Sequence, residues 1–349
     1  MDILPVLEHE DRPQEGLWYS LIPRGGGPGV SVGHTCIFIP SEGEGKGSVL
    51  IVGGANPNGS FSESHVLNLD SFEWRLQDWK GLSARYEHCS FVTDSCPQSL
   101  WVFAGAEQNG NRNCIQNLQL RDGAAVWKCV EAKGLSPSPR TYHTTTACIG
   151  DRLYVFSGGE TGATPVSDAK LHVFDTVSST WSQPDTQGSC PSPRHGHVVV
   201  AVGSKLYVHG GMAGEKLYSD MYSLDTVSMT WEKILAKGDP PPGLAAHSAV
   251  TLQRSIYVFG GMTSEGASNA MHRFDCEPGQ WILMRFESDL PPSRLDHSMC
   301  VVPWRVKAEG SEHAGQAQGE PDTVQLAFVF AGMDTQGVIH RDCVGTLLS

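Results

Sequence analysis

The stretch Lys205-Leu-Tyr-Val-His-Gly-Gly211 is an alternating apolar run that ends at two adjacent glycines. Related stretches recur along the chain: Val49-Leu-Ile-Val-Gly-Gly54, Leu100-Trp-Val-Phe-Ala-Gly105, Leu153-Tyr-Val-Phe-Ser-Gly-Gly159, Ile256-Tyr-Val-Phe-Gly-Gly261 and Ala327-Phe-Val-Phe-Ala-Gly332. A short apolar run bounded by turn residues is typical of a β-strand, and glycine tolerates the positive φ of a sharp turn. Recurrence at a nearly fixed spacing indicates a repeat architecture, so six related β units are predicted.

A histidine that closes a short polar motif precedes each of these strands. The motifs are Val32-Gly-His34, Arg85-Tyr-Glu-His88, Arg140-Thr-Tyr-His143, Arg194-His-Gly-His197, Leu244-Ala-Ala-His247 and Arg294-Leu-Asp-His297. Five units also end in a tryptophan: Trp74, Trp127, Trp181, Trp231 and Trp281. A unit of about 50 residues with four short strands, a diglycine and a later tryptophan is the pattern of a Kelch repeat, which forms one blade of a β-propeller. The tryptophan is expected to pack as a wedge between neighbouring blades.

The two ends of the chain complement each other. The sixth unit has no tryptophan before Ser349, whereas the run Trp18-Tyr-Ser-Leu-Ile22 has a tryptophan but no diglycine unit ahead of it. We therefore predict an all-β, six-bladed Kelch-type propeller in which the N-terminal run supplies the outer strand of the last blade. Closing the ring in this way removes an unpaired blade edge.

These patterns predict an N-terminal tail at 1–17 and a single propeller over 18–349. The closing strand is placed at about 18–22, and the blades are predicted at about 30–78, 84–131, 139–185, 193–235, 243–285 and 293–349. The segment 303–323 is rich in Gly, Ala, Glu and Gln, which suits a flexible loop on the sixth blade. Its role is left open between a tolerated insertion and a recognition loop.

The formal net charge of −13 argues against a nucleic acid or a bare anionic membrane as the main partner, and leaves basic protein surfaces possible. Ten cysteines without a Cys-x-x-Cys pair suit a reduced cytosolic or nuclear compartment. Neither a signal peptide nor an apolar run of about 18 residues is present. We expect a cytoplasmic protein that associates with membranes only through partners.

Several clusters resemble functional sites but do not meet the requirements of such sites. The Arg-x-x-His motif at 85/88, 140/143, 194/197 and 294/297 recurs from unit to unit, which favours a structural role over catalysis. His195 and His197 lack a third metal ligand nearby. The glycine-rich loop around Lys46 fails the order of a phosphate loop, and Asn58-Gly-Ser60 is read as a surface turn. No catalytic, cofactor-binding or metal residue is predicted, and the partner-binding residues are left unassigned.

Longer strings between the glycines are more specific than the repeat itself. Gly53-Gly-Ala-Asn-Pro-Asn58, Arg85-Tyr-Glu-His88, Gly110-Asn-Arg-Asn-Cys114, Ser192-Pro-Arg-His-Gly-His197 and Arg294-Leu-Asp-His-Ser-Met-Cys300 resemble the Kelch-motif effectors of Rab GTPases. The similarity runs from about Trp18 to the C-terminus. The sequence departs from the pattern at Ser31, where arginine is expected, at Ala104 and Ala331, and in the 303–323 loop.

The resemblance implies a partner, a location and no catalysis. The partner would be a GTP-loaded Rab GTPase, with other trafficking proteins possible. The GTPase would recruit the protein peripherally to late endosomes, where it would assist transport to the trans-Golgi network. No family motif assigns Rab contacts to individual residues, so none is carried over.

Two other functions are left open. Kelch substrate adaptors of ubiquitin ligases share only the propeller, because their dimerising and cullin-binding domains precede it and 17 residues come before Trp18 here. A channel-site Kelch enzyme would use His209 or the motif histidines as acid-base groups. His209 is the one polar residue at a position where the other units have valine or phenylalanine.

Overall fold

Six sheets, one for each repeat unit, form the blades of a β-propeller. Each has four antiparallel strands, and in blades one and four a short fifth strand pairs in parallel with the outermost of them. The computed structural model describes residues 3–121, 125–143, 147–307 and 322–349. The chain begins with β1 (Trp18–Leu21), followed by β2 (Arg24–Gly25). Blade one continues with β3 (Thr35–Ile39), β4 (Ser48–Val52), β5 (Ala55–Asn56), β6 (Gly59–Ser60), β7 (Ser64–Asn68) and β8 (Glu73–Leu76). Blade two has β9 (Cys89–Phe91), β10 (Ser99–Phe103), β11 (Ala106–Glu107), β12 (Gly110–Asn111), β13 (Ile115–Gln119) and β14 (Lys128–Cys129).

The remaining blades follow the same order. Blade three has β15 (Cys148–Ile149), β16 (Arg152–Phe156), β17 (Gly159–Thr161), β18 (Thr164–Pro165), β19 (Leu171–Asp175) and β20 (Thr180–Ser182). Blade four has β21 (Gln187–Gly188), β22 (Val198–Val202), β23 (Lys205–His209), β24 (Met212–Ala213), β25 (Lys216–Leu217), β26 (Met221–Asp225) and β27 (Thr230–Ile234). Blade five has β28 (Ser248–Leu252), β29 (Ser255–Phe259), β30 (Met262–Thr263), β31 (Gly266–Ala267), β32 (Met271–Asp275) and β33 (Gln280–Leu283), and blade six has β34 (Ser298–Arg305), β35 (Thr323–Phe330) and β36 (Cys343–Leu348).

The first strand of each blade lies on the inside of the ring. Strands β3 and β34, β3 and β9, β15 and β22, β22 and β28, and β28 and β34 contact one another between blades. In five blades the first strand starts directly after the motif histidine, and each antiparallel second strand ends directly before the turn that contains the motif glycines. Both features therefore lie at one end of the propeller, together with the small hairpins β5–β6, β11–β12, β17–β18, β24–β25 and β30–β31. We call this end the glycine face.

The ring closes as predicted. Strand β1 pairs antiparallel with β36, with Trp18 opposite Thr346 and Leu21 opposite Cys343, so blade six has the strand order β34, β35, β36, β1. The N-terminal run is thus the outermost strand of the last blade. Backbone hydrogen bonds between the two chain ends satisfy polar groups that would otherwise form an open edge.

The predicted tryptophan wedge is confirmed as well. Trp231 of blade four packs on Phe156 of blade three with ring centroids 5.1 Å apart, and Trp18 packs on Phe259 of blade five at 4.9 Å. In each case the tryptophan meets the last residue of the preceding blade's second strand. Because one indole buries on the order of 200 Å², these wedges contribute much of the contact between blades.

The predicted tail at 1–17 is not detached from the propeller. Leu4 and Leu7 are buried, and Leu7 joins the apolar cluster shared by blades one and six. The Leu7 amide donates to the carbonyl of Ser20, and the indole Nε1 of Trp304 donates to the carbonyl of Asp11. The described part of this segment therefore packs across the seam where the ring closes.

The predicted loop at 303–323 is shorter than the sequence suggested. Pro303, Trp304 and Arg305 belong to β34, where Arg305 pairs with Thr323 of β35. Trp304 is buried. The glycine-rich composition of the segment that follows it did not predict this burial. Residues 308–321 lie outside the described part of the chain. Among the described residues, no helix has the length and apolar character needed to cross a bilayer.

Candidate functional site

The four motif arginines are buried within their own blades. Each guanidinium bonds the carbonyl two residues before it and a carbonyl at the end of the second strand: for Arg194, Nε donates to Ser192 O at 3.1 Å and Nη1 to Gly210 O at 3.1 Å. Arg294 repeats this pattern with Pro292 and Ala331. These arginines join the loop before each inner strand to the glycine turn, which is a structural use of the motif.

The motif histidines connect neighbouring blades. The imidazole Nε2 of His197 lies 2.9 Å from the carbonyl of Phe156, and that of His297 lies 3.0 Å from the carbonyl of Phe259. A carbonyl only accepts hydrogen bonds, so Nε2 carries the proton in both rings. Burial lowers the pKa of His197 to about 3, which keeps the ring neutral at physiological pH.

His209, the polar exception among the second strands, is the residue of blade four on which the tryptophan wedge of blade five packs. Its ring lies 5.0 Å from that of Trp281, and its Nδ1 is 3.1 Å from Nε2 of His247. It replaces the phenylalanine that packs on the tryptophan elsewhere in the ring. Its position is within the contact between blades four and five, away from the central cavity.

His143 departs from the role of the other motif histidines. Its Nε2 lies 2.6 Å from the carbonyl of His34, which belongs to blade one. The preceding Tyr142 is buried instead, and its hydroxyl donates to the carbonyl of Tyr154 at 3.1 Å. Blade three therefore breaks the symmetry of the repeat at the centre of the propeller.

A chain of backbone hydrogen bonds surrounds the axis on the glycine face. It joins the residue before the motif histidine from blade to blade: Tyr142 N to Glu87 O (2.9 Å), Glu87 N to Gly33 O (2.7 Å), Gly33 N to Asp296 O (3.2 Å), Asp296 N to Ala246 O (3.0 Å) and Ala246 N to Gly196 O (2.8 Å). Glu87 and Asp296 have φ of 51° and 52°, a left-handed conformation that side chains other than glycine rarely adopt. The equivalent Gly33, Gly196 and Ala246 have φ of 66°, 65° and 56°, so this conformation belongs to the repeated turn.

This chain borders a cavity of about 180 Å³ on the axis. Glu87, His143, His195, Asp296 and apolar side chains including Met212 line it. Burial, and after it the neighbouring Asp296 carboxylate, raises the pKa of Glu87 to about 8. Burial also raises the pKa of Asp296. The acid pair therefore retains one proton at neutral pH, because two neighbouring carboxylates in a buried site disfavour being charged together.

Two buried imidazole rings complete the wall. His197 and His247 line the cavity and are each at least nine-tenths buried. Their Nδ1 atoms, like Nε2 of His195, have neither a hydrogen-bond partner nor appreciable accessible area, so they lie beneath the surface of the cavity. The Glu87 and Asp296 side chains, which are only half-buried, are the acidic groups that a ligand would meet.

The other clusters from the sequence lie away from this cavity. Lys46 sits in the β3–β4 hairpin, where its Nζ pairs with Glu10 at 2.5 Å. Asn58 lies in the exposed turn between β5 and β6. Within the described ranges, no group of three His, Cys, Asp or Glu side chains is placed to hold a metal ion.

Sequence reasoning missed Glu87 and Asp296 as site residues. Both stand inside the repeated motif, immediately before its histidine, and the motif was set aside as structural because it recurs. The position before the motif histidine could have indicated the site, because its residue type changes from blade to blade. The residues at this position are Gly33, Glu87, Tyr142, Gly196, Ala246 and Asp296. A position that changes while its neighbours repeat is where a propeller can place a site on its axis.

Replacing Asp296 with asparagine is expected to stabilise the protein at alkaline pH. Because the pKa of Glu87 is raised in the folded state, the contribution of this acid to the stability is greatest below about pH 4.5, where it is neutral in both the folded and the unfolded state. That contribution is lost as pH rises towards 8. Asp296→Asn removes the repulsion and keeps a residue type that tolerates φ of 52°. We expect the free energy of unfolding to increase by about 1 kcal/mol at pH 8.5, which corresponds to a change of less than one unit in the pKa of Glu87. Almost no increase is expected at pH 4.5.

Urea unfolding at the two pH values measures this effect. The matched control is Glu160→Gln, an exposed acid on β17 of the same face, which should change the stability little at either pH. Equal changes in the free energy of unfolding for Asp296→Asn at both pH values would refute the interpretation that the two acids repel each other when both are charged.

Comparisons with known proteins bear on the whole chain. A family model described as the KLHDC2/KLHL20/DRC7 Kelch-repeats domain matches residues 33–261 and 158–308. The chain is 65% identical over 358 residues to a Danio rerio protein named Rab9 effector protein with kelch motifs. It is 57% identical over 367 residues to the Xenopus laevis protein of that name and 53% over 373 residues to the Homo sapiens one. Each of these alignments covers 100% of both chains.

Proposed function

Because the chain belongs to the family of Rab9 effector proteins with kelch motifs, we propose that it is a non-enzymatic propeller that binds a Rab GTPase. Similarity over the full length of relatives bearing that name is the observation that carries this proposal. The use of the motif arginines and of most motif histidines in structural contacts supports a binding role over catalysis. The bound GTPase is proposed to be in its GTP-loaded state.

The proposed setting follows from the same partner. A GTPase on the membrane would recruit the protein peripherally to late endosomes and the trans-Golgi network, where it would assist transport between them together with other trafficking proteins. Between those encounters the protein would stay in the cytoplasm. The formal charge of −13 makes direct binding to an anionic membrane unfavourable, so recruitment through a protein is the consistent route.

The glycine face is the proposed contact surface. Its small hairpins carry exposed acids, Glu160, Glu215 and Glu265, around the central acids Glu87 and Asp296. Loops of a rigid scaffold commonly carry binding residues, and exposed acids around acidic side chains favour a partner patch of the opposite sign. We expect the GTPase, or a segment bound beside it, to present basic side chains to this face.

Capture by purified Rab GTPases tests the proposal. Rab9 loaded with a non-hydrolysable GTP analogue should retain the protein about tenfold better than Rab9 loaded with GDP, a difference of about 1.4 kcal/mol. A panel of other Rab GTPases in both states serves as the specificity control. Background capture of every GTPase in both states would refute the Rab proposal while leaving the propeller fold untouched.

Charge reversal tests the contact surface. The double variant Glu160→Lys and Glu265→Lys should weaken capture by GTP-loaded Rab9 several-fold, and the loss should shrink at high salt because exposed charges are screened. Glu44→Lys, an exposed acid in the β3–β4 hairpin at the opposite end of the propeller, is the matched control. If Glu44→Lys weakens capture and the double variant does not, the surface assignment is wrong.

A further inference from the structure

We propose that the central cavity of the glycine face binds one guanidinium or alkylammonium group, presented by an arginine or lysine side chain of a docked polypeptide. The polypeptide source rests on the proposed protein-binding function. The cation chemistry stands independently of it, because it follows from the groups that line the cavity.

Two carboxylates are held on one side of the cavity. Glu87 and Asp296 lie on either side of Gly33 in the chain of backbone hydrogen bonds, and Gly33 places no side chain between them. A Cβ at Gly33 would lie 3.0 Å from the Glu87 amide nitrogen, so this position has little room for a side chain. Neighbouring carboxylates separated by a gap are suited to a planar, multidentate donor such as guanidinium.

The buried imidazole rings of the wall do not repel a cation. His197 and His247 both line the cavity. Burial lowers the pKa of each ring to about 3, so both stay uncharged at neutral pH. These rings therefore do not offset the negative charge that Glu87 and Asp296 bring to the cavity.

The size of the cavity selects a side chain over a larger ligand. Its volume of about 180 Å³ lies below the 300–1,000 Å³ that is usual for drug-sized ligands. Met212, Met262 and Leu295 supply apolar wall against which the aliphatic stem of a long cationic side chain can pack. The surrounding acids Glu160 and Glu265 raise the local concentration of cations at the cavity.

Binding should release a proton. At neutral pH the acid pair holds one proton, and a cation favours the fully ionised pair, so affinity should rise with pH by up to about tenfold per pH unit for one released proton. The other titratable side chains lining the cavity are Tyr142, His143, His195, His197 and His247. His143 faces Asp296, so the variant His143→Asn is titrated in parallel to separate its contribution.

The cation arm of the test uses n-butylguanidinium chloride with the full-length protein. Saturation-transfer NMR should detect binding of n-butylguanidinium and none of n-butanol, which has the same alkyl chain without the charge. Affinity should increase from pH 6 to pH 9. The variants Glu87→Gln and Asp296→Asn should each weaken binding at least about tenfold, as expected for loss of a charge-assisted hydrogen bond, whereas Glu44→Gln, at the opposite end of the propeller, should bind normally.

The polypeptide arm compares two capped tripeptides, N-acetyl-Gly-Arg-Gly-amide and N-acetyl-Gly-Gln-Gly-amide. Binding of the arginine peptide, displaced by n-butylguanidinium, supports the proposal. Binding of n-butylguanidinium without binding of the arginine peptide would overturn the polypeptide source in favour of a free amine. Equal binding of n-butanol, or unchanged affinity in folded Glu87→Gln and Asp296→Asn proteins, would overturn the cation site.

The outcome is separable from the Rab proposal. Near-ultraviolet circular dichroism confirms that each variant is folded before titration. If the cavity variants lose n-butylguanidinium but retain GTP-loaded Rab9, the cation site stands and serves another contact. If the GTPase is not captured at all while n-butylguanidinium binds, the Rab proposal fails and the cation site remains.

Discussion

Replacing Trp18 with alanine is expected to destabilise the propeller by about 3–5 kcal/mol. The Trp18 side chain is fully buried and packs on Phe259 at 4.9 Å and Phe286 at 5.5 Å, both outside its own blade. Its removal leaves a cavity between blades five and six and weakens β1, the strand that joins the N-terminal segment to the last blade. Guanidinium unfolding monitored by circular dichroism measures the loss.

Two further changes make this test specific. Trp18→Phe keeps an aromatic wedge and removes an indole nitrogen that has no partner, so it should cost much less than Trp18→Ala. Deleting residues 1–21 should do more harm than either substitution, because it exposes the β36 edge and promotes association. A monomeric deletion variant with the stability of the full chain would contradict the closure mechanism.

Replacing Arg294 with leucine is expected to cost about 2–3 kcal/mol, because buried carbonyls lose their donor whereas the Asp342 side chain, 40% exposed, keeps contact with water. Arg294 is fully buried and bidentate to Asp342, with Nη1 to Oδ1 at 2.8 Å and Nη2 to Oδ2 at 3.0 Å. Its loss leaves Asp342 and the carbonyls of Pro292 and Ala331 without their donor. Chemical unfolding compares it with Arg254→Leu, whose exposed pair with Glu277 should be worth less than about 1 kcal/mol.

Blade five suggests how to recover the lost stability. There, Leu244 stands in place of the arginine and Ala270 in place of the aspartate, since Ala270 and Asp342 accept the equivalent backbone hydrogen bond. The double variant Arg294→Leu and Asp342→Ala should therefore be more stable than Arg294→Leu alone, because it removes the uncompensated charge. An additive loss in the double variant would show that the pair is not coupled.

Acid should weaken this pair before it affects the apolar core. Burial alone would raise the pKa of Asp342, but the hydrogen bonds and charge of Arg294 lower it overall. A carboxyl with a lowered folded pKa contributes stability above its unfolded value of 3.8 and loses it as pH falls below that value. The difference in stability between the wild-type protein and the double variant should accordingly narrow below about pH 4.

The repeat explains why so much of the fold could be predicted. The diglycine strands, the spacing of the histidines and the tryptophans are local patterns that occur several times, so each copy supports the interpretation of the others. The same reasoning placed Trp18 in the sixth blade, because only one tryptophan position was empty and only one N-terminal strand was unassigned. The repeat pattern did not predict the burial of Trp304 and Leu7, because their burial depends on the seam between the chain ends, which occurs once in the ring.

Residue types repeated every 50 to 55 positions therefore determined the six blades, the closing strand and the wedge, since hydrophobic periodicity and glycine conformational freedom act locally. Only the tertiary structure decided what lies on the axis. Glu87 and Asp296 are 209 positions apart in the sequence, and closure of the ring brings them to either side of Gly33. The raised pKa values of these acids depend on burial and on like charge acting through space between blades, which no local pattern in the sequence encodes.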